Sequence, residues 1–123
     1  MPAPPTIYIA AADKALASSL VFALELEGYV TRAFGSLAEL SSERLGANDC
    51  IIVDQEVLDA ARSATTGPML DRAGCSIILM TGQPTLLRIS QVLGRRPVHF
   101  VEKPLLGSVL TDAVRQALAR PAP

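Results

Sequence analysis

Asp54, Thr81 and Lys103 are the residues on which chemistry can be built, because each follows an apolar, β-prone run. Cys50-Ile51-Ile52-Val53 precedes Asp54, Ile77-Ile78-Leu79-Met80 precedes Thr81, and Val98-His99-Phe100-Val101 leads to Glu102-Lys103-Pro104. In an open α/β sheet the groups that do chemistry sit just beyond the carboxyl ends of the strands. A carboxylate, a hydroxyl and an ammonium then meet at one edge. The residues alone leave other readings open: Asp54 as a turn or cap residue, Lys103 as a solvated cation, or the two as a purely structural ion pair. His99 on its strand faces solvent or a helix, and nothing near it in sequence makes it a ligand.

The elements that must position these groups alternate along the chain. Residues 6–11 read as a first strand. Asp13 can cap a helix over about 14–27, in which Leu16, Leu20, Ala23 and Leu24 form one apolar stripe and Gly28 is the expected stop. Residues 29–34 form a short second strand, and Ser36-Leu37-Ala38-Glu39 has the form of a capping box opening a helix that ends near Gly46. The run ending at Asp54 suits a central strand buried on both faces. Residues 55–74, interrupted by Gly67-Pro68, read as a loop with a weak third helix. A strand over 76–80, a fourth helix over about 84–93, a strand over 98–101 and a fifth helix over about 106–119 complete the pattern. The fourth helix opens at Pro84, and its Leu86, Leu87, Ile89, Val92 and Leu93 wrap more than one face, so part of them remains exposed or meets a partner.

Parallel neighbours need helical crossovers, and these are right-handed. The expectation is an α/β, flavodoxin-like doubly wound sheet of five parallel strands in the order 2-1-3-4-5. The 123 residues make one domain, 1–123, with flexible ends at 1–5 and 120–123. Half of the residues are hydrophobic, 4% are aromatic and none is tryptophan, so the core is aliphatic. A formal charge of -1 argues against a broad phosphate-backbone footprint, and hence against nucleic-acid binding by this chain. The start, Met1-Pro2-Ala3-Pro4-Pro5, lacks the basic flank and apolar stretch of a signal peptide, and no run approaches a membrane span. The expected location is cytoplasmic. Cys50 and Cys75 have no metal-type spacing and read as small buried apolar residues. If the strands beginning near them are neighbours, their sulfurs lie close enough to respond to oxidation.

From Thr6 to Leu118 the sequence resembles the receiver (CheY-like) domain of bacterial two-component response regulators. The residues that carry the likeness are Asp54, Thr81-Gly82, Phe100 and Lys103-Pro104. The run from Phe100 to Pro104 and the spacing from Thr81 to Lys103 are most similar to the subgroup with nitrogen-fixation (FixJ) or LuxR-type output domains. The resemblance implies that Asp54 is the phosphate-accepting carboxylate, Thr81 the hydroxyl that turns to the phosphoryl oxygens, and Lys103 the cation that pairs with them. It makes Gly82 the small residue that leaves the phosphoryl group access, Phe100 the aromatic rotamer switch, and Pro104 a cis-proline that aims Lys103.

Two departures change the expected function. Ala11 and Ala12 stand where the family holds Mg²⁺ with adjacent acids, leaving Asp54, a backbone carbonyl near Glu56 and a weak contribution from the Glu56 side chain. Asp13, one position on, points the wrong way. The proline-glycine usual after the phosphate acceptor is replaced by Val57-Leu58-Asp59-Ala60. The expectation is an atypical receiver: not an enzyme, a protein-interaction module with phosphorylation-independent or weakly phosphorylated signalling, no cofactor, and Mg²⁺ weak at best. Its expected partner is a protein, either a histidine kinase or an output protein, with homodimerisation through the fourth helix, fifth strand and fifth helix. The alternative is a conventional receiver phosphorylated on Asp54 by a histidine kinase. A flavodoxin-like enzyme or nucleotide binder is disfavoured because the chain has no Gly-rich phosphate loop.

Overall fold

The apolar runs form strands and the amphipathic stretches cover them. The computed structural model describes residues 5–40, 43, 45, 46, 48–60, 75–81, 98–103 and 108–119. Within these the order is β1 (Thr6–Ala10), α1 (Lys14–Leu26), β2 (Val30–Phe34), α2 (Leu37–Leu40), β3 (Cys50–Asp54), α3 (Gln55–Ala60), β4 (Ser76–Thr81), β5 (Val98–Glu102) and α4 (Val109–Ala119), the last being the fifth helix of the sequence pattern. The five strands make one sheet in the order β2-β1-β3-β4-β5, with every pair parallel. This is the doubly wound order expected from the alternation. All five residues of β3 are buried, as an unbroken apolar strand in the middle of a covered parallel sheet should be.

Strand alternation divides the core in two. On one side Tyr8, Ala10, Ile51, Val53, Ile77 and Leu79 meet Leu37 and Leu40 of α2 and Val57 of α3. On the other, Ile7, Ile9, Ile52, Ile78 and Met80 meet Leu20 and Leu24 of α1 and Leu110, Val114 and Ala117 of α4. Each fully buried Leu or Ile adds roughly 1.5–3 kcal/mol over an exposed one. The two thiols fall on different sides: Cys50 belongs to the α1 and α4 side, Cys75 to the α2 and α3 side. This corrects the expectation that adjacent strands would make them a responsive pair. β3 and β4 are indeed neighbours, but the pleat sends these side chains to opposite faces, and both cysteines are free and buried. Burial pushes the Cys50 thiol up to about 12 and the Cys75 thiol up to about 11. Neither offers much thiolate at neutral pH.

Helix ends follow local chemistry. Asp13 caps α1, its carboxylate accepting from the amides of Ala15 at 2.9 Å and Leu16 at 3.1 Å. The helix closes in a Schellman motif: Gly28, at φ 93°, donates to the Glu25 carbonyl, and the Tyr29 amide donates to the Leu24 carbonyl. Ser36 caps α2 by accepting from the Glu39 amide at 3.2 Å, while the Glu39 carboxylate reaches back to the Gly35 amide. The described part of α2 is Leu37–Leu40, and by Glu43, short of the expected stop near Gly46, the chain is no longer helical. Glu43 instead donates its amide to the Leu40 carbonyl in a turn and pairs with Arg32, and the Gly46 amide is held by the Asp49 carboxylate. α3, the weak third helix expected within 55–74, starts directly after Asp54, and Val57 anchors its first turn on the core. The expected helix over 84–93, the chain ends 1–4 and 120–123, Gly67-Pro68, Gly82 and Pro104 lie outside the described residues. Among the described residues no helix is long and apolar enough to cross a membrane.

Candidate functional site

Parallel pairing brings the ends of β3, β4 and β5 to one edge. Asp54 is the last residue of β3, in register with Met80, and Thr81 at the end of β4 is in register with Glu102. One residue further on, the Lys103 amide donates to the Thr81 carbonyl at 3.0 Å, so the ladder continues past β5. That bond starts the lysine stem beside the strand ends. Its ammonium Nζ lies 2.5 Å from Oδ1 of Asp54. The three polar groups picked out by their strand-end positions therefore converge.

Their burial makes the edge electrostatically demanding. Asp54 and Thr81 are each 1% exposed, whereas the Lys103 side chain is 32% exposed. A carboxylate so removed from water costs several kcal/mol unless compensated. Lys103 supplies the compensating charge, but Oδ1 of Asp54 receives no aligned hydrogen bond; the contact is an ion pair. The Thr81 hydroxyl is satisfied separately, with Oγ1 donating to Oε1 of Gln55. Gln55 is a site residue that sequence reasoning missed. Its position directly after a strand-end aspartate was the available signal, since the first turn of a helix starting there folds back over the sheet edge.

The remaining predicted residues divide by whether they reach this edge. Ala11 extends the ladder, its amide donating to the Phe34 carbonyl at 3.0 Å, and its methyl is buried with the α1 side of the core. Ala12 is exposed. Neither side chain offers an oxygen. The Asp13 carboxylate is occupied by its cap on α1, and Glu56 is exposed in the first turn of α3. Mg²⁺ prefers six oxygens in near-octahedral array. Among the described residues one buried carboxylate stands at this edge, already engaged by an ammonium, and they do not fit such a shell. Among the described residues no group of three or more His, Cys, Asp or Glu side chains could hold a metal ion. Phe100 lies within β5 opposite Leu79, its side chain outside the described set, and His99 is half-buried on the same strand.

No protein-family model matches the chain. It is 36% identical over 111 residues to the transcriptional regulator protein FixT of Rhizobium meliloti (strain 1021), an alignment covering 89% of each chain. Among solved structures, the fold is similar to a CheY-like response regulator receiver domain protein from Methanospirillum hungatei JF-1, with TM-score 0.76, 21% identity and 94% of each chain covered. It is also similar to FixJ-N, with TM-score 0.74, 20% identity and 95% of each chain covered. The beryllofluoride-activated NtrC4 receiver domain dimer gives TM-score 0.72 and 18% identity, with 92% of this chain and 95% of that one covered.

Proposed function

The chain belongs to the response-regulator receiver (CheY-like) family of two-component systems, and from that premise we propose that it is an atypical receiver acting as a protein-interaction module. Its output is independent, or nearly so, of phosphorylation at Asp54. The observation that carries this reading is the donor set at the sheet edge. Ala11 and Ala12 bring no oxygen, Lys103 neutralises Asp54, and Gln55 takes the Thr81 hydroxyl.

Phosphoryl transfer depends on positioning and on neutralising charge as the group moves. An edge with one carboxylate for a metal lacks most of that neutralisation. In this reading Asp54 keeps the place of the phosphate acceptor, Thr81 and Lys103 the places of the hydroxyl and cation, and Mg²⁺ binds weakly or not at all. Phe100 holds the place of the aromatic switch, Gly82 that of the small access residue and Pro104 that of the cis-proline. The module signals without catalysing a reaction.

A conformational change needs a ligand that favours one state, and a protein partner is better suited to that here than phosphate. We assign the partner, a histidine kinase or an output protein, to the surface of segment 84–93, β5 and α4. FixT is named as a transcriptional regulator; by likeness this chain influences transcription, and its charge of -1 favours doing so through a protein rather than DNA.

The test pairs labelling with output. Acetyl phosphate and Mg²⁺ should leave Asp54 almost unmodified by intact-mass analysis, and Asp54→Asn should leave output unchanged. Ala11→Asp with Ala12→Asp should raise Mg²⁺ affinity in calorimetry. Charged substitutions at Leu86, Leu87 or Ile89 should weaken output. A stoichiometric label on Asp54, together with lost output in a folded Asp54→Asn variant, would establish the conventional receiver phosphorylated by a histidine kinase.

A further inference from the structure

We propose that the outward face of α1 is a self-docking surface, on which a second copy of this chain lays its own α1 antiparallel across a two-fold axis near Leu20. At 3.6 residues per turn, Ala15, Ser18, Phe22 and Leu26 fall in one stripe, opposite the buried Leu20 and Leu24. The stripe faces water. Phe22 is 67% exposed and Leu26 is 72% exposed, an unusual placement for two large apolar side chains one turn apart. The other stripe members, Ala15 and Ser18, are small and exposed, as is the flanking Ser19, whose hydroxyl turns inward to the Ala15 carbonyl at 3.0 Å.

Size and charge select the occupant. The large residues lie in the C-terminal half of the helix and the small ones in the N-terminal half. An antiparallel copy with its axis near Leu20 sets each Phe22 against the partner copy's Ser18, and each Leu26 against the partner copy's Ala15. Knobs then meet notches twice, as an isologous interface requires. Lys14 and Glu25 are exposed on the same flank of the stripe. In antiparallel helices like flanks face each other, so Lys14 of one copy meets Glu25 of the other at both ends. A parallel arrangement would oppose that flank to Ser19. Glu25 is already oriented, since its Oε1 accepts from the Thr31 hydroxyl at 3.1 Å.

The helix is about 20 Å long. One such pair buries less than the roughly 1,200 Å² of a stable interface, so association is reversible and weak.

Sedimentation velocity on the full chain from about 10 μM to about 1 mM tests this, that range being where small interfaces associate. The expected result is a reversible monomer–dimer equilibrium that Phe22→Asp or Leu26→Asp weakens by at least about tenfold. Circular dichroism should be unchanged, because both positions are exposed. Lys14→Glu and Glu25→Lys should each weaken the dimer several-fold, and the two combined in one chain should restore it. A monomer throughout the range overturns the proposal. So does a dimer indifferent to Phe22 and Leu26 but lost on Leu87→Asp or Val109→Asp, and so does failure of the double charge reversal to restore association.

Discussion

Asp49 and Asp54 flank the same central strand and are held in opposite ways. At the amino end, the Asp49 carboxylate accepts from the Thr6 amide at 2.9 Å and from the Gly46 amide at 2.8 Å, while its own carbonyl accepts from the Ser76 amide at 3.2 Å. At the carboxyl end Asp54 meets one long side chain, Lys103, as an ion pair. Backbone amides cannot leave without unfolding the segment that bears them, so Asp49 is part of the architecture. An ammonium on a flexible stem can swing away or be displaced, so the Asp54 end stays changeable although it is the more deeply buried of the two. Depth of burial and permanence are thus separate properties of a carboxylate.

Four measurements sharpen or break that contrast. The largest effect belongs to the dry amino end and to alkaline pH. Burial, with neighbouring charge, pushes Cys50 from an ordinary 9.0 up to about 12 and Cys75 up to about 11. Unfolded thiols lose their protons near 9 while the folded ones keep them. Stability is therefore fully present below pH 9 and falls above it, by about 1.4 kcal/mol per pH unit for each thiol. Urea unfolding between pH 8 and 11 should show this decline, and Cys50→Ala or Cys75→Ala should make it shallower. A flat profile would mean that water reaches both thiols.

Next comes Lys103→Met, which strands Asp54 without its counter-charge and should cost about 3 kcal/mol in urea unfolding at neutral pH. Adding Asp54→Asn should recover most of that loss; no recovery would place the lysine's value in its stem. Asp49→Ala, removing two charge-assisted bonds to amides at a half-buried site, should cost about 2 kcal/mol. A loss below that of a surface substitution would show that neighbouring groups take over its amides. The smallest change is Gln55→Ala, which leaves the buried Thr81 hydroxyl without its acceptor and should cost about 1 kcal/mol. The Thr81 methyl resonance should move with it, and an unmoved signal would separate the two residues.

The sheet was legible because its physics is local to each strand. Runs such as Ile51-Ile52-Val53 and Ile77-Ile78-Leu79 have no polar residue to place at a surface, so they had to lie in the middle. The convergence of Asp54, Thr81 and Lys103 was legible for the same reason, since the first polar group after such a run must emerge at the strand end. What failed depended on contacts distant in sequence. The helix expected to run to near Gly46 has given way by Glu43, where Arg32 pairs with Glu43 and Asp49 holds Gly46, and neither contact shows in the capping box at Ser36. The separation of Cys50 from Cys75 depended on which face each occupies, a matter of register rather than of strand adjacency. Gln55 escaped notice because its role requires a helix to start without a loop. Phe22 and Leu26 interrupt no pattern that a buried stripe requires, so their exposure became visible only once Leu20 and Leu24 were seen facing the sheet.

The all-parallel ladder also constrains the order in which the molecule assembles. No two neighbouring strands can zip from a tight hairpin, because every pairing must wait for a crossover. In the β1-α1-β2 segment the helix is fixed at both ends by side-chain and backbone bonds of its own. Loop closure costs nearly the same for each crossover, so what favours this segment is a helix whose two ends are closed by bonds local to it. We expect this segment to form the folding nucleus, with φ values highest for substitutions at Ile9, Leu20 and Leu24 and low at Val101 and Val114. The reverse pattern would start folding at the other edge. In this order the rigid part of the sheet exists before Lys103 reaches Asp54, so the ion pair forms on a surface already made.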